Sequence, residues 1–360
     1  MKGYIDVHNH AIPKDYTDTL AKMGVKKGLG VQFPAWTEKD ALEVMDENGV
    51  QTQVLSISAP GVWFRDADPT FRYAKELSRS TNEFLAALLR KYPTRFGAFA
   101  TTPMPDVESA ILEVAYALDE LCLDGVVLLS NYDGYYLGDE RYDRLFAELD
   151  RRSAVVFIHP ASPPDFESSH LGLPEAMVDV CFDTTRTVFS LIIGGVIKRY
   201  PNIRFILAHA GGATPYMAGR VGFVSQLAAD LKGVAPHIAD GIGAMGKVIP
   251  ALKDHMPGTL NYYLNLRKNV FPEGIDYFLS RFYYDTALSA SPHAFTSLLT
   301  LVDTAHILFG TDSAFAGKAA VHPSITGVES YQAFSEQDVG NIRNGSALAI
   351  FPRLAEACAA

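Results

Sequence analysis

The sequence predicts an α/β chain folded as a (β/α)8 barrel of the TIM barrel type, with an inserted cap or interface region at about residues 214–280. Three observations carry that expectation. Short β-branched or aromatic runs alternate with stretches of helical periodicity along the whole chain, without segregating into blocks. Eight such runs occur, the strand count of that barrel. Most are continuously apolar, as strands buried on both faces should be. A doubly wound open sheet is the structural alternative.

The candidate strands, in order, are Tyr4–His8, Thr52–Ile57, Phe96–Ala100, Gly125–Leu129, Ala154–His159, Ile203–Ala208, Phe282–Asp285 and His306–Phe309. Between them, helical periodicity covers Thr37–Asn48, Pro69–Lys91, Asp106–Leu121, Arg141–Arg152, Asp179–Arg199 and His293–Val302, and a last helix is expected at about Glu336–Ala349. Two helix starts carry local signals: Thr37 before Glu38-Lys39-Asp40, and Ser335 before Glu336-Gln337-Asp338. Each places a side-chain acceptor and acidic residues at a positive helix end. Thr214 to Ser280 forms an extended region, and about Gly233–Pro272 is its long irregular piece, rich in Gly, Pro, Tyr and Asn. Such a piece reads as a cap or interface insertion, not a linker. The whole of 1–360 is therefore expected to be one domain.

Composition narrows the function classes. The 360 residues are 48% apolar and 20% charged, with net charge −10. That balance disfavours nucleic acid or anionic membrane as a partner, since both reward clustered Lys and Arg. The three cysteines, Cys122, Cys181 and Cys358, are scattered without a Cys-x-x-Cys pair, so a disulfide framework is not expected and a reducing cytoplasm is. The longest apolar run, Val188 to Ile197, is too short to span a bilayer, and a first strand at residue 4 leaves no room for a signal peptide.

The chemistry sits at strand ends, where a (β/α)8 barrel gathers its active site. Strand one runs Tyr4-Ile5-Asp6-Val7-His8-Asn9-His10. Residues two apart on a strand share a face, so His8 and His10 point together with Asp6, and Ile5 and Val7 point away. A polar inward face of that kind needs a partner, which a metal supplies. Strand five ends in His159, strand six in His209, and strand eight runs through Leu308-Phe309-Gly310-Thr311 into Asp312. Imidazole nitrogen with carboxylate oxygen is the donor set of Zn²⁺ or a similar transition ion, whereas Mg²⁺ or Ca²⁺ would want more oxygens. His170, His237, His255, His293 and His322 fall elsewhere and are read as solvated or capping, while His306 starts strand eight at the opposite barrel end.

Asp-Val-His-Asn-His (6–10), Phe-Ile-His-Pro (157–160), Leu-Ala-His-Ala-Gly-Gly (207–212) and Phe-Gly-Thr-Asp-Ser (309–313) resemble the signature segments of the amidohydrolase superfamily, in its aminocarboxymuconate-semialdehyde decarboxylase-like branch. The resemblance spans nearly the whole chain. Residues 103–159, with Asn131-Tyr132-Asp133-Gly134 and Tyr136-Leu137-Gly138-Asp139, further resemble the 6-methylsalicylate decarboxylases of that branch. The resemblance implies that His8, His10, His159 and Asp312 bind the metal and that His209 is an acid/base or water-orienting group. No lysine follows strand four, where Leu128-Leu129-Ser130-Asn131 stands, so a carbamylated bridging lysine and a second metal are not expected. Asp6 competes as a ligand or, as we favour, orients one by a hydrogen bond.

The implied reaction is loss of CO₂ from an ortho-hydroxybenzoate, 6-methylsalicylate or a similar salicylate, to leave a phenol, on one divalent transition metal, zinc before manganese, with no organic cofactor. Asp312 or His209 would supply the proton. Loop aromatics Trp36, Trp63, Phe64, Tyr132, Tyr135 and Tyr136 suit a flat substrate, with Trp63 and Tyr132 the chosen contacts, and Arg65, Arg186 and Arg220 are candidate partners for its carboxylate. Metal-dependent hydrolysis of a lactone or amide is the alternative reaction, and a catalytically dead binding barrel a third reading. Relatives in the branch are commonly dimers, so a homodimer is expected.

Overall fold

The computed structural model describes residues 3–164, 166–169, 171–230 and 273–359. Eight strands form one parallel sheet in which each pairs with its sequence neighbours: β1 (Tyr4–His10), β2 (Val50–Ser56), β3 (Phe96–Ala100), β4 (Gly125–Leu129), β5 (Val155–His159), β6 (Arg204–Leu207), β7 (Tyr283–Asp285) and β8 (Ile307–Leu308). The ring closes between β8 and β1, where the Val7 N–H donates to the Phe309 carbonyl at 2.9 Å and the Asp312 N–H to the His8 carbonyl at 2.8 Å. The architecture is thus a (β/α)8 barrel.

One buried cluster takes Ile5 and Val7 from β1, Val54, Phe99, Val127, Val155 with Phe157, Ile206 and Leu308 from six further strands. Residues drawn from seven strands meet only inside a ring, so this cluster fills the axis. Ile350, Phe351 and Leu354 of the C-terminal segment join it from below. Arg353 fastens that plug, with two nitrogens each 2.8 Å from the buried Asp124 carboxylate and contacts to the Pro93 and Phe96 carbonyls.

Membership of Ile5 and Val7 corrects the expected alternation along β1. Asp6 pairs with Gln53 but Asn9 with Leu55, three steps on one strand against two on the other. This bulge lets Ile5 and Val7 fill the barrel while His8 and His10 still turn inward above them, and Asp6 leaves the histidine face. Bulges re-aim side chains in this way beside many active sites.

Helices cover the sheet. Thr37 and Ser335 cap theirs as expected, and Ser335 with Asp338 completes a capping box. The segment expected as one helix over Asp179–Arg199 is broken into α-helices Asp179–Ile193 and Val196–Arg199, because Gly195 is left-handed at φ 74°. The backbone there lies so close to the loop before residue 140 that a Cβ on Gly194 would sit 2.2 Å from the Gly138 carbonyl. The helix expected over Asp106–Leu121 continues from Val107–Ala115 as a π-turn, and the helix over Glu336–Ala349 contains another. Not expected were the helix Lys14–Lys22, the hairpins 27–32 and 131–136, and the terminal helix Pro352–Ala359. The proposed insertion enters through the helix Thr214–Asp230, but its irregular part, Gly233–Pro272, lies outside the described residues, as do His170, His237 and His255. Among the described residues, no helix is long and apolar enough to cross a membrane.

Candidate metal centre and active site

At the carboxyl ends of the strands, the rings of His8, His10 and His159 pack mutually edge to face with centroids 5.0–5.2 Å apart. One nitrogen of each lies within 4.8 Å of the others. All three are buried.

Their outer nitrogens decide which atom faces inward. His8 Nδ1–H donates to Asp285 Oδ2 at 2.7 Å, and His159 Nδ1–H donates to the Pro160 carbonyl at 2.8 Å. Ser56 spends its hydroxyl proton on the Asn9 carbonyl, so at 3.1 Å its Oγ accepts from His10 Nδ1–H. With Nδ1 protonated in each ring, Nε2 presents a lone pair to the common centre. Asp312 completes the set, Oδ1 lying 2.9 Å from His10 Nε2 and 3.7 Å from His8 Nε2. Yet His8 Nε2, His10 Nε2 and Asp312 Oδ1 are buried without a hydrogen-bond partner among the described residues. Three orphaned donors for a metal, aimed at one point, fit a divalent transition ion.

The electrostatics agree. Burial holds the His10, His159 and His209 imidazoles below their ordinary range, which keeps them neutral as ligation requires. Burial acts the same way on His8, but the Asp285 carboxylate outweighs it and raises that group. For Asp312, burial would favour the neutral acid, and the imidazoles around it, His10 first, overcome this and keep it ionised.

His209 stands beside the cluster, 4.9 Å from His8 between centroids, with Nδ1–H on the Ala287 carbonyl at 3.1 Å and Nε2 left for the pocket. Its φ is 55°, and those of Ala210, Leu288 and Asp312 are 55°, 51° and 58°. Four non-glycine residues in the left-handed region around one site mark backbone held there at a cost.

Both carboxylate oxygens of Asp6 are taken by hydrogen bonds. Its two oxygens accept from the His8 N–H, Asn9 Nδ2, the Thr311 N–H and Thr311 Oγ1, so it ties β1 to the chain after β8. Burial pushes its carboxyl up to about 6. The imidazole of His8 is oriented instead by Asp285, which sequence reasoning passed over although it ends β7 as His159 ends β5. Asp285 also accepts from the backbone N–H of His209 and of Ala287, each at 2.9 Å. Where a bridging lysine would stand after β4, the Ser130 hydroxyl and Asn131 Nδ2 instead donate to the buried Asp183.

His159, His209 and Asp312 line a small pocket of about 50 Å³ with Leu29, Ala59 and Phe315 among its walls. Leu29 and Ala59 also border a cavity of about 500 Å³ over the ends of β2 to β5. Three of the expected substrate residues, Trp63, Arg65 and Tyr132, line this larger space. Trp63 stacks on Phe71, and Arg65 pairs with Asp133 at the rim. Arg186 and Arg220 line neither space and are exposed; Arg186 reaches toward the Tyr136 hydroxyl at 3.5 Å.

Known proteins share this arrangement of chain. The family model for amidohydrolases matches residues 5–353. A 6-methylsalicylic acid decarboxylase of Penicillium expansum is 31% identical over 353 residues, covering 97% of this chain and 96% of its own. A second such enzyme, from Aspergillus aculeatus, is 32% identical over 98% of this chain and 97% of its own. Among solved structures, the 5-carboxyvanillate decarboxylase of Novosphingobium aromaticivorans, crystallised with manganese, superposes with TM-score 0.76 over 98% of this chain and 96% of that one, at 20% identity. Matched along nearly its full length, and with its strand-end histidines and aspartate brought to one point, the chain belongs to the amidohydrolase family.

Proposed function

We propose that this protein is a metal-dependent, non-oxidative decarboxylase of an ortho-hydroxybenzoate, releasing CO₂ and a phenol. The observation that carries the reading is the convergence of His8, His10, His159 and Asp312 on one buried point beside a cavity of ligand size. Full-length similarity to two 6-methylsalicylic acid decarboxylases supports the substrate class and makes 6-methylsalicylate the first compound to test.

His8, His10, His159 and Asp312 would hold the ion. When bound, it supplies a Lewis acid that takes up the negative charge of the carboxylate and neighbouring phenolate. Around it the protein provides fixed ligands in a buried pocket, so little reorganisation remains for the reaction itself. We assign proton delivery to Asp312, ionised in the resting site, which takes up its proton from solvent with the help of His209 as substrate binds. The ring carbon bearing the carboxylate gains that proton, its bond to the carboxyl carbon then breaks, and the electron pair restores the aromatic ring as CO₂ leaves. The balance is one carboxylate and one proton in, one phenol and one CO₂ out, without redox change, so no organic cofactor is required. We assign Trp63 and Tyr132 to bound the ring and Arg65 to meet an anion at the cavity rim, which their place along the cavity wall supports.

Zinc suits the donor set, and the manganese in a similarly folded decarboxylase makes that ion the other to test. A homodimer is supported by Phe182, Tyr216 and Phe223, which leave large apolar side chains exposed on the helices Asp179–Ile193 and Thr214–Asp230. The scattered cysteines support a cytoplasmic setting for a single domain spanning 1–360.

The test is a screen of hydroxybenzoates for CO₂ release by protein reconstituted with zinc or manganese, beside lactone and amide substrates. CO₂ from a salicylate that disappears on chelation is expected. Hydrolysis of a lactone with no hydroxybenzoate consumed would replace this reading by the metal-dependent hydrolase.

A further inference from the structure

The two spaces over the barrel divide the substrate between them. The pocket of about 50 Å³ beside His159, His209 and Asp312 is the smaller of the two and takes the carboxylate and phenolate oxygens. The ring's substituents have room in the adjoining space of about 500 Å³, which shares Leu29 and Ala59 with it and is within the usual range for small-ligand sites.

Ile57, Val62, Met104, Val127 and Leu129 give that cavity apolar wall, beside polar residues such as Asn131 and Ser162. Two of its hydroxyls are buried and unpaired. Thr101 and Thr102, just past the end of β3, are each 4% exposed, and their Oγ1 atoms have no hydrogen-bond partner among the described residues. The Thr101 backbone is fully engaged with the Asn82 side chain, N–H and carbonyl alike, so its position is fixed. Glu175 lines the same cavity, and its Oε2 is also buried without a partner. Buried polar groups in native folds are nearly always paired, and a hydroxyl kept unpaired on an apolar wall is poised for a group that arrives.

We propose that this cavity is the subsite for the part of the substrate remote from the reacting carboxylate. There Thr101 and Thr102 select a salicylate whose substituent carries a hydroxyl or carbonyl over one bearing the alkyl isostere. The inference rests on the decarboxylase reading and sharpens its substrate class. A site built to hydrogen-bond a substituent discriminates against the analogue lacking it, because its own buried groups are then left unpaired.

The experiment compares kcat/KM of the metal-loaded enzyme for hydroxymethyl- and ethyl-salicylates, isosteric pairs substituted at each open ring position. The wild type should favour the hydroxymethyl compound by about tenfold or more at one position, a ratio that Thr101→Val and Thr102→Val together bring to about one. Valine keeps the threonine shape, so the fold is preserved. Equal rates on both compounds in the wild type, or a ratio the valine variants leave untouched, overturns the proposal. A second readout needs no turnover: Trp63 lines the cavity, so its fluorescence should report tighter binding of 3-(hydroxymethyl)phenol than of 3-ethylphenol to the metal-loaded protein. Selective binding without CO₂ from any hydroxybenzoate would remove the decarboxylase reading and leave the subsite standing. CO₂ release without selectivity would do the reverse.

Discussion

Replacing Asp285 by asparagine should disable the metal centre without touching a ligand. The carboxylate is fully buried, with Oδ2 2.7 Å from His8 Nδ1 and Oδ1 accepting from the His209 and Ala287 N–H groups at 2.9 Å each. Asparagine offers one oxygen, which the two backbone donors will claim, and this turns its NH₂ toward His8. The imidazole must then accept at Nδ1 and carry its proton on Nε2, the atom that faces His10 and Asp312. One of the metal's donors is lost although the side chain is still present. Changes in groups that orient metal ligands typically cost about 10–100-fold in affinity, or about 1.4–2.7 kcal/mol. The assay is competition of the purified apoprotein against a chromophoric chelator for Zn²⁺ or Mn²⁺, with circular dichroism to establish that the variant is folded. An affinity within about threefold of wild type would refute the tautomer argument.

Three further outcomes follow from the same geometry. His159→Ala should lower the metal content from about one ion per chain to near zero, read by elemental analysis of dialysed protein, and undiminished content would remove His159 from the ligand set. Asp312→Asn should reduce turnover by at least about 10²-fold while weakening metal binding less, because the amide keeps an oxygen for coordination but cannot cycle a proton; near-normal turnover would pass the acid role to His209. Arg353→Met leaves the buried Asp124 carboxylate, 2% exposed in the pair, without its cation, and should lower stability by about 1.5–3 kcal/mol in urea unfolding with an unchanged m value; a loss below about 0.5 kcal/mol would show that the C-terminal plug is held by apolar contacts alone.

What the sequence made legible follows from what periodicity encodes. Strands buried on both faces stand out as apolar runs, and their carboxyl ends are where a barrel collects polar groups, so His8, His10, His159, His209 and Asp312 could be brought together before any coordinates. The bulge in β1 could not, because a one-residue slip is a relation between two strands and leaves no trace in either alone. It moved Asp6 off the histidine face and Val7 onto the inner one. Asp285 was within reach, being the last residue of a recognised strand, but histidines drew attention that a single aspartate did not. The hairpin at Leu29-Gly30 has φ of 50° and 78° at its two turn residues, a conformation usually announced by Asn-Gly or Asp-Gly. Leucine there gives no such signal, although that side chain borders both the metal pocket and the larger cavity. Asp133-Gly134, at the second hairpin, did carry the signal.

The measurement that bears most directly on the account is decarboxylation of a salicylate by the metal-loaded enzyme in D₂O, with NMR of the phenol product. Proton delivery to the ring carbon from a group exchanging with solvent predicts one deuterium at the position that bore the carboxylate, and none elsewhere beyond a no-enzyme control. A phenol carrying only protium at that carbon would contradict the mechanism assigned to Asp312 and His209.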